Sequence, residues 1–582
     1  MKYSDLIADF LKKQGVSFVF DFTGGMIAGL EDSISRLAGI NCLPMKHEQA
    51  AGFAAEGYAR SGKNFGVAIS TSGPGATNLI TAIGNCYFDS TPALFITGQV
   101  NSKELRSSKK IRQNGFQELD IVDMVKGITK YSKLILEPND ILYELEKSLF
   151  LMKSDRPGPI LLDIPFNVQS SEVDTGKLKN FIISDKNKKN QKAESLLLSD
   201  FSKLSELLER SKAPVVLFGN GIKISKTKNK LKDFLDKNNL PSVSSLLGLG
   251  EVASEQNNYM GFIGTYGIRS ANIVLANADL IIVLGSRLDL RQTGNPNLFA
   301  NKAKIFHVDI DEFSGKNSFK DYIFVNSDLN VFFDRLVELK VPIKSQWINF
   351  IKSIKDNFDD KYSEEDEYCN PNLFFKSLSE FVSKKSIIIA DVGQNQMWLA
   401  QSWKIKEGQN LMFSGGMGAM GFSLPTSIGA CCGDKMKDAY SFMGDGGFQI
   451  NIQELETIRY NNLPIKIFVL NNNSLGMVRE FQDQYFNSNY QSTVIGYSCP
   501  DLKKIAGAYG IKYFKITRSD SADLYKEIIN YEGPVIIEVK ISPYSKLQPR
   551  VVYGESIENQ SPFLTGEKKG ILDRLKNEFL GL

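Results

Sequence analysis

The chain has 582 residues, 42% hydrophobic and 23% charged, with 69 Lys and Arg against 66 Asp and Glu for a net charge of +3. That balance is ordinary for a globular protein and offers no net field to nucleic acid or an anionic membrane. The length exceeds one core, so about three domains are expected.

The opening stretch "MKYSDLIADFLKKQGVSFVF" reads as an amphipathic helix leading into a strand. Asp5, Asp9, Lys12 and Lys13 interrupt its apolar residues, which argues against a signal peptide. No apolar run is long enough to span a membrane. Residues 44–60, "PMKHEQAAGFAAEGYAR", predict a closely packed helix rich in Ala50, Ala51, Phe53, Ala54 and Ala55, with Glu48 at its mouth. An acid buried there costs free energy unless it is paired, protonated or used.

Downstream, short β-branched runs alternate with helical patterns. "FGVAIST", "TPALFITGQV" and "GPILLDIP" occur in the first third, and "APVVLFGNG", "ADLIIVLGS" and "KIFHVDID" in the second. The last third has "SIIIADVG", "DAYSFMGDGG", "LPIKIFVLNNN" and "GPVIIEVK". Continuous apolar strands between helices predict parallel sheets covered on both faces, hence three doubly wound α/β domains. Linkers are expected at 170–194, which is Lys/Asn/Ser-rich, and at 359–372, which is acidic and ends at Pro371. The expected domains are residues 1–169, 195–345 and 373–545, with a tail over 546–582.

Six scattered cysteines (Cys42, Cys86, Cys369, Cys431, Cys432, Cys499) form no CxxC pair, which argues against structural zinc or a disulfide framework. Two histidines, His47 and His307, are too few for His-rich metal chemistry. A cytoplasmic protein is expected.

Residues 444–473, "GDGGFQINIQELETIRYNNLPIKIFVLNNN", form a strand–turn–helix–strand unit. Asp445 falls at the carboxyl end of one strand and Asn472 at the end of the next. Gly446 and Gly447 let backbone approach a phosphate, and the following helix offers free amides. Asp445, Asn472 and the carbonyl of Ser474 make three hard oxygen ligands, suited to Mg²⁺ completed by diphosphate and water.

This unit resembles the thiamin diphosphate (ThDP) motif of the pyruvate-oxidase and acetohydroxyacid-synthase superfamily. Across the chain the resemblance is to acetohydroxyacid (acetolactate) synthase catalytic subunits. It extends through "KHEQAAGFAAEGYAR", "TSGPGATNLIT", "DSTPALFITGQV", "GFQELDIV", "RPGPILLDIP", "LLGLG", "DVGQNQMW", "SGGMGAMGFSLPTSIGA" and "LGMVREFQ", in the family's order. It implies a homodimer or homotetramer in which the first domain of one subunit faces the third domain of its partner across the cofactor. A small regulatory subunit is a further implied partner. Glu48 would then meet ring nitrogen N1′ of the aminopyrimidine and favour its imino tautomer. Met420 would wedge the two cofactor rings into a V. Pro74, Asn78, Val392, Gly393, Gln394, Asn395, Gly418, Gly444, Leu475, Gly476 and Met477 are the remaining implied cofactor contacts. Many synthases have His in place of Asn395; an amide still donates a hydrogen bond.

In the middle third, "LFGNGIKIS" has Gly219 and Gly221 but no third glycine, and by spacing alone it is a structural turn. The resemblance implies FAD, structural rather than redox-active. Its contacts would be Gly219, Gly221, Leu246, Leu247, Gly264, Gly285, Ser286, Arg287, Asp289, Asp309, Ile310 and Asp311. His307 is expected to be a strand residue.

The implied reaction decarboxylates pyruvate and transfers the two-carbon unit to a second carbonyl. Without a His-His pair, simple decarboxylation is disfavoured. Arg291 aligns with the family's acceptor-carboxylate arginine, favouring 2-oxoacid acceptors. Phe116 and Gln117 match substrate-pocket residues, with Gln117 catalytic, and Val478 belongs to the same pocket. Phe166 stands where these synthases have a channel lysine, Phe481 where they have a tryptophan favouring 2-oxobutanoate, and Arg479 in a stretch usually neutral. These departures weaken assignment to branched-chain amino-acid biosynthesis. They leave open acetyl transfer to a nucleotide-linked keto sugar. A pyruvate oxidase and a non-catalytic homologue are the other readings, the last opposed by the presence of Glu48, Asp445 and Asn472.

Overall fold

Three parallel sheets of six strands each run through the chain. The computed structural model describes all residues except 38, 183–189, 312–318, 337–338, 340, 342, 365–366, 435–437 and 581–582, with backbone alone for 190–198 and 580. The first sheet comprises β1 (Phe18–Phe22), β2 (Asn41–Pro44), β3 (Gly66–Ser70), β4 (Ala93–Gln99), β5 (Tyr131–Leu134) and β6 (Ile160–Pro165), in the order β2-β1-β3-β4-β6-β5. The second comprises β7 (Pro214–Phe218), β8 (Ser242–Ser244), β9 (Tyr259–Phe262), β10 (Leu280–Leu284), β11 (Lys304–Asp309) and β12 (Tyr322–Asn326), ordered β12-β11-β10-β7-β8-β9. The third comprises β13 (Ile387–Ala390), β14 (Asn410–Phe413), β15 (Ala439–Gly444), β16 (Ile465–Asn471), β17 (Lys512–Ile516) and β18 (Val535–Lys540), ordered β14-β13-β15-β16-β18-β17.

Strands β3, β4, β6, β7, β10 and β13 are buried at every residue, because helices cover both faces of each sheet. The first and third sheets share one strand order. The second has the order 3-2-1-4-5-6 of dinucleotide-binding folds. In all three, strand order reverses beside the first strand (β1/β3, β7/β10, β13/β15), and there the carboxyl ends leave a crevice for ligands. His307 lies within β11, as its sequence context predicts.

The helix Glu48–Arg60 begins where His47, in extended backbone, accepts a hydrogen bond from the Gln49 amide at 3.1 Å through Nδ1. It crosses the fully buried helix Ser423–Gly433 of the third domain. A Cβ added to Gly429 would lie 1.7 Å from the Ala54 carbonyl oxygen, and one added to Gly57 would lie 2.1 Å from that of Thr426. Backbone therefore meets backbone at the crossing. Phe53 packs edge-on against Phe422 at 5.6 Å between ring centres. One apolar core thus runs from the first sheet into the third.

The helix Asn190–Arg210 begins inside the stretch read as the first linker, whose residues 183–189 lie outside the described part. At the second linker, the Asn370 side chain accepts the amides of Asn372 and Leu373 and starts the helix Pro371–Phe381. The C-terminal segment returns to the middle domain, where Val551, Ile557, Leu572 and Leu575 enter its core. Arg269 holds the returning backbone by donating to the carbonyls of Gln560 (3.3 Å) and Pro562 (2.9 Å). None of the six cysteines is in a disulfide. Among the described residues no helix is long and apolar enough to cross a membrane.

Gly429→Ala is expected to cost about 1–3 kcal/mol through overpacking. Gly570→Ala, in a helix with open space around the new methyl, is expected to be neutral or to stabilise by about 0.4–1 kcal/mol. Thermal melts of both variants check the contrast.

Candidate active site

Two polar corners form at the carboxyl ends of the first and third sheets. In the first domain Glu48 is 6% exposed, and its Oε2 accepts from the Asn78 amide at 2.9 Å. Asn78 closes the short helix Pro74–Asn78, entered through Gly73 at φ +60°. A Cβ on Gly75 would stand 3.3 Å from Glu48 Oε1, and one on Gly73 would stand 3.0 Å from Gln117 Cβ. Gln117 itself has φ +66°. Glu48, Pro74, Asn78 and Gln117 therefore share one corner. Phe116 beside it is 82% exposed, and Phe166, at the end of β6, is also exposed.

In the third domain, Asp445 is the first residue of the helix Asp445–Ile450 and Asn472 lies one residue past β16, each a step beyond the strand end expected from sequence. Asp445 Oδ1 accepts the Gly446 amide at 2.9 Å, while Oδ2 is buried without a partner. Burial pushes this carboxyl up to about 7, against the pull of the Tyr497 hydroxyl and the amides of Gly446, Asn473 and Ser474. Asn472 Oδ1 accepts the Ser474 amide (3.1 Å), and its Nδ2 donates to Gln394 Oε1 (3.2 Å). Ser474 Oγ and Asn395 Oδ1 are also buried without partners.

Glycines admit these approaches. A Cβ on Gly476 would fall 1.9 Å from Gln394 Oε1, and one on Gly447 would fall 2.9 Å from Asp391 Oδ1. Gly393, at φ +144°, precedes the helix Gln394–Ser402. Met420 reaches over the turn, its Cε 3.5 Å from where a Gly446 Cβ would be, and Leu475 packs on the same spot. Gly418 nearby has φ +70°. Unmatched oxygens among free amides fit a hard cation carrying an anionic ligand. Among the described residues no group of three or more His, Cys, Asp and Glu is placed to hold a metal, so this cradle depends on a single carboxylate.

A cleft of about 510 Å³ lies at the β7/β10 reversal. Gly221, Leu246, Leu247, Gly285, Ser286, Arg287, Asp289, Asp309, Ile310 and Asp311 line it, with Arg291 at the same wall. Gly219 and Gly264 stand behind the lining. A Cβ on Gly219 would lie 2.5 Å from the Gly285 carbonyl oxygen, and one on Gly264 would lie 2.3 Å from that of Arg291. Asp289 caps the turn Leu290–Thr293 by accepting the Arg291 and Gln292 amides, and it pairs with Arg287 at 3.0 Å. Ser90, Asp155 and Arg156 of the first domain also line the cleft, with Arg156 paired to Asp311 at 2.8 Å. Sequence reading missed them because they come from another domain.

It also missed Glu480, which is buried, accepts from Gln394 and from the Leu547 amide (2.8 Å), and holds the cradle's helix Gly476–Tyr485. A "RE" pair on an amphipathic helix gives no sign of burial. Its neighbour Arg479, which stands in a stretch usually neutral in the family, is 4% exposed and donates to the Ser545 carbonyl at 2.8 Å. Val478, Phe481, Gln484 and Tyr485 are the exposed residues of this helix, and Phe481 packs on Tyr485 at 4.6 Å. Met477 Sδ accepts from the Tyr266 hydroxyl of the middle domain at 3.5 Å.

Three family models match the chain. They describe the N-terminal TPP binding domain (residues 1–124), the central domain (201–336) and the C-terminal TPP binding domain (391–539) of thiamine pyrophosphate enzymes. The acetolactate synthase large subunit of Lactococcus lactis is 36% identical over 95% of this chain and 94% of its own length. The probable acetolactate synthase large subunit of Methanocaldococcus jannaschii is 34% identical over 96% and 95%. The acetolactate synthase isozyme 2 large subunit of Escherichia coli is 33% identical over 94% and 96%.

A cation held at Asp445 would take the ionised form of a carboxyl that burial raises to about 7. Below that pH, Mg²⁺ binding must release a proton, so its apparent affinity falls about tenfold per pH unit. Calorimetry with Mg²⁺ is expected to show close to one proton released at about pH 6 and almost none at about pH 8.

Proposed function

The chain belongs to the family of thiamine pyrophosphate enzymes, and within it we propose a carboligase of the acetolactate synthase type: two pyruvates give one acetolactate and one CO₂, with no oxidant consumed. The observation that supports this reading is that the chain carries two buried polar half-sites. One is a buried carboxyl group in the first domain, the other a buried cradle of unmatched oxygens in the third.

Thiamin diphosphate, when bound, would supply the nucleophilic, electron-accepting carbon that decarboxylation of a 2-oxoacid requires. Asp445, Asn472 and the Ser474 carbonyl would hold Mg²⁺, leaving the Gly393 and Gly446 turns to receive the diphosphate. Met420 would be the bulky side chain that wedges between the two rings. Glu48 would hold the proton at pyrimidine N1′. Arg291 would orient the acceptor carboxylate, and Gln117 would lie at the reacting end of the pocket. The cleft at the β7/β10 reversal would take FAD.

Among the described residues, no hydrogen bond joins Glu48 to Asp445, Asn472 or Ser474 within one chain; Glu48 is held by Asn78. The likeness to acetolactate synthases supports reading the working unit as a homodimer or homotetramer, with each site shared between two chains. A smaller regulatory partner belongs to the same reading, since the relatives are named large subunits.

Incubation with pyruvate, ThDP, Mg²⁺ and FAD, followed by mass spectrometry, is expected to show acetolactate. Stoichiometric oxygen uptake would instead indicate an oxidase, and a product only with a nucleotide-linked keto sugar would redirect the acceptor. Glu48→Gln is expected to lower turnover by about 10²–10⁴-fold with the fold unchanged. Mixing Glu48→Gln chains with Asp445→Asn chains should restore up to about a quarter of the activity if two-fold partners share each site; no recovery counts against the shared site. Phe481→Trp is expected to raise the 2-oxobutanoate-to-pyruvate acceptor ratio, read from the two products in competition.

A further inference from the structure

The loop that carries Met420 is weakly self-determined. Residues 414–422 leave β14 and enter the helix Ser423–Gly433 through four glycines, Gly415, Gly416, Gly418 and Gly421. Glycine carries the largest backbone freedom of any residue, so the position of such a loop must be set by what it is tied to.

The ties are two carboxylates, one at each end. At the exit, Asp391 of the same domain accepts the amides of Gly421 (3.0 Å) and Ser423 (2.9 Å), while Asn451 donates to the Gly421 carbonyl at 2.8 Å. At the entrance the tie comes from the first domain. Asp89, buried at the end of the helix Ile80–Phe88, accepts the Gly416 amide through Oδ1 (2.7 Å) and the Gly415 amide through Oδ2 (3.0 Å). Asn85, one turn earlier, accepts from Ser414 Oγ at 2.6 Å. That same hydroxyl oxygen accepts the Ala419 amide at 3.1 Å, one residue before Met420. A Cβ on Gly416 would fall 2.6 Å from Phe88 Cβ, so the loop is pressed onto the end of this helix.

The cost of burying Asp89 is offset by its two amides and by Arg60, 3.8 Å from Oδ2. Its backbone carbonyl accepts from Asn220 of the middle domain at 3.1 Å, so the residue stands where all three domains meet.

We propose that Asp89, acting with Asn85 and Ser414, is a positioning residue: it fixes the entrance of the 414–422 loop and thereby the placement of Met420 against the cofactor. The proposal rests on the reading of Met420 given above. An amide in place of the carboxylate cannot serve both N–H groups, because its one oxygen takes one of them and its NH₂ faces the other.

The test uses full-length protein with ThDP and Mg²⁺, following cofactor affinity by fluorescence titration and the bound aminopyrimidine by near-ultraviolet circular dichroism. Asp89→Asn is expected to weaken ThDP about tenfold and to alter the cofactor band, with FAD uptake within about twofold of the parent. Ser414→Ala, a smaller change that decides the matter if Asp89→Asn does not fold, should shift the same readouts by about threefold. Met420→Ala is run in parallel and should alter the band. If it does, while Asp89→Asn and Ser414→Ala leave band and affinity unchanged, or lower affinity only in step with melting temperature, the positioning role is overturned and the site reading stands. If Met420→Ala leaves the band unchanged, the site reading fails and the proposal with it.

Discussion

The backbone contact between the helices Glu48–Arg60 and Ser423–Gly433 is the constraint on which the other features rest. Gly57 and Gly429 each forgo about 1 kcal/mol of helix propensity, and in return two domains come within touching distance of one another's carbonyls. That approach seals a polar group of residues from water: Glu56, Arg60, Asn85, Asp89 and Ser414. Fully exposed, such hydrogen bonds would contribute little, because water competes for every donor. Buried and mutually satisfied, they specify one arrangement of the loop that follows β14.

Hydrogen bonding distinguishes Asp391 and Asp89 from Asp445. Asp391 receives three amides and Asp89 receives two plus the nearby charge of Arg60, so both are held as permanent anchors. Asp445 receives one amide and keeps a second buried oxygen unmatched, close to Ser474, which has an unmatched hydroxyl. A buried oxygen without a partner costs about 1–3 kcal/mol. Several in one cradle make sense for a site that a cation and an anionic ligand complete.

The middle domain contributes through its edges. Its strand reversal provides a cleft of about 510 Å³, yet first-domain residues close one side, and Tyr266 reaches the third domain at Met477. The C-terminal segment returns to the middle-domain core, so the last residues of the chain serve the fold of its centre. Exposed Phe116, Phe166 and Phe481 stand near the two half-sites, while Arg479 turns inward, leaving the rim of the third-domain cradle apolar beside the helix Gly476–Tyr485.

Local patterns in the sequence determined the elements that depend on local physics. Continuous β-branched runs predicted buried parallel strands, and the "GDGG" to "NNN" spacing placed Asp445 and Asn472 at adjacent strand ends, within one residue of where they stand. The alanine-rich helix beginning at Glu48 announced close packing without naming what it packs against. Only tertiary structure decided that Gly57 meets Thr426, that Asp89 grips Gly415 and Gly416, that Arg479 and Glu480 are buried, and that residues beyond 546 return to the middle domain. The reason is physical. Periodicity reports which side of an element avoids water, whereas these contacts join residues hundreds of positions apart, and their energies exist only once the domains exclude water between them.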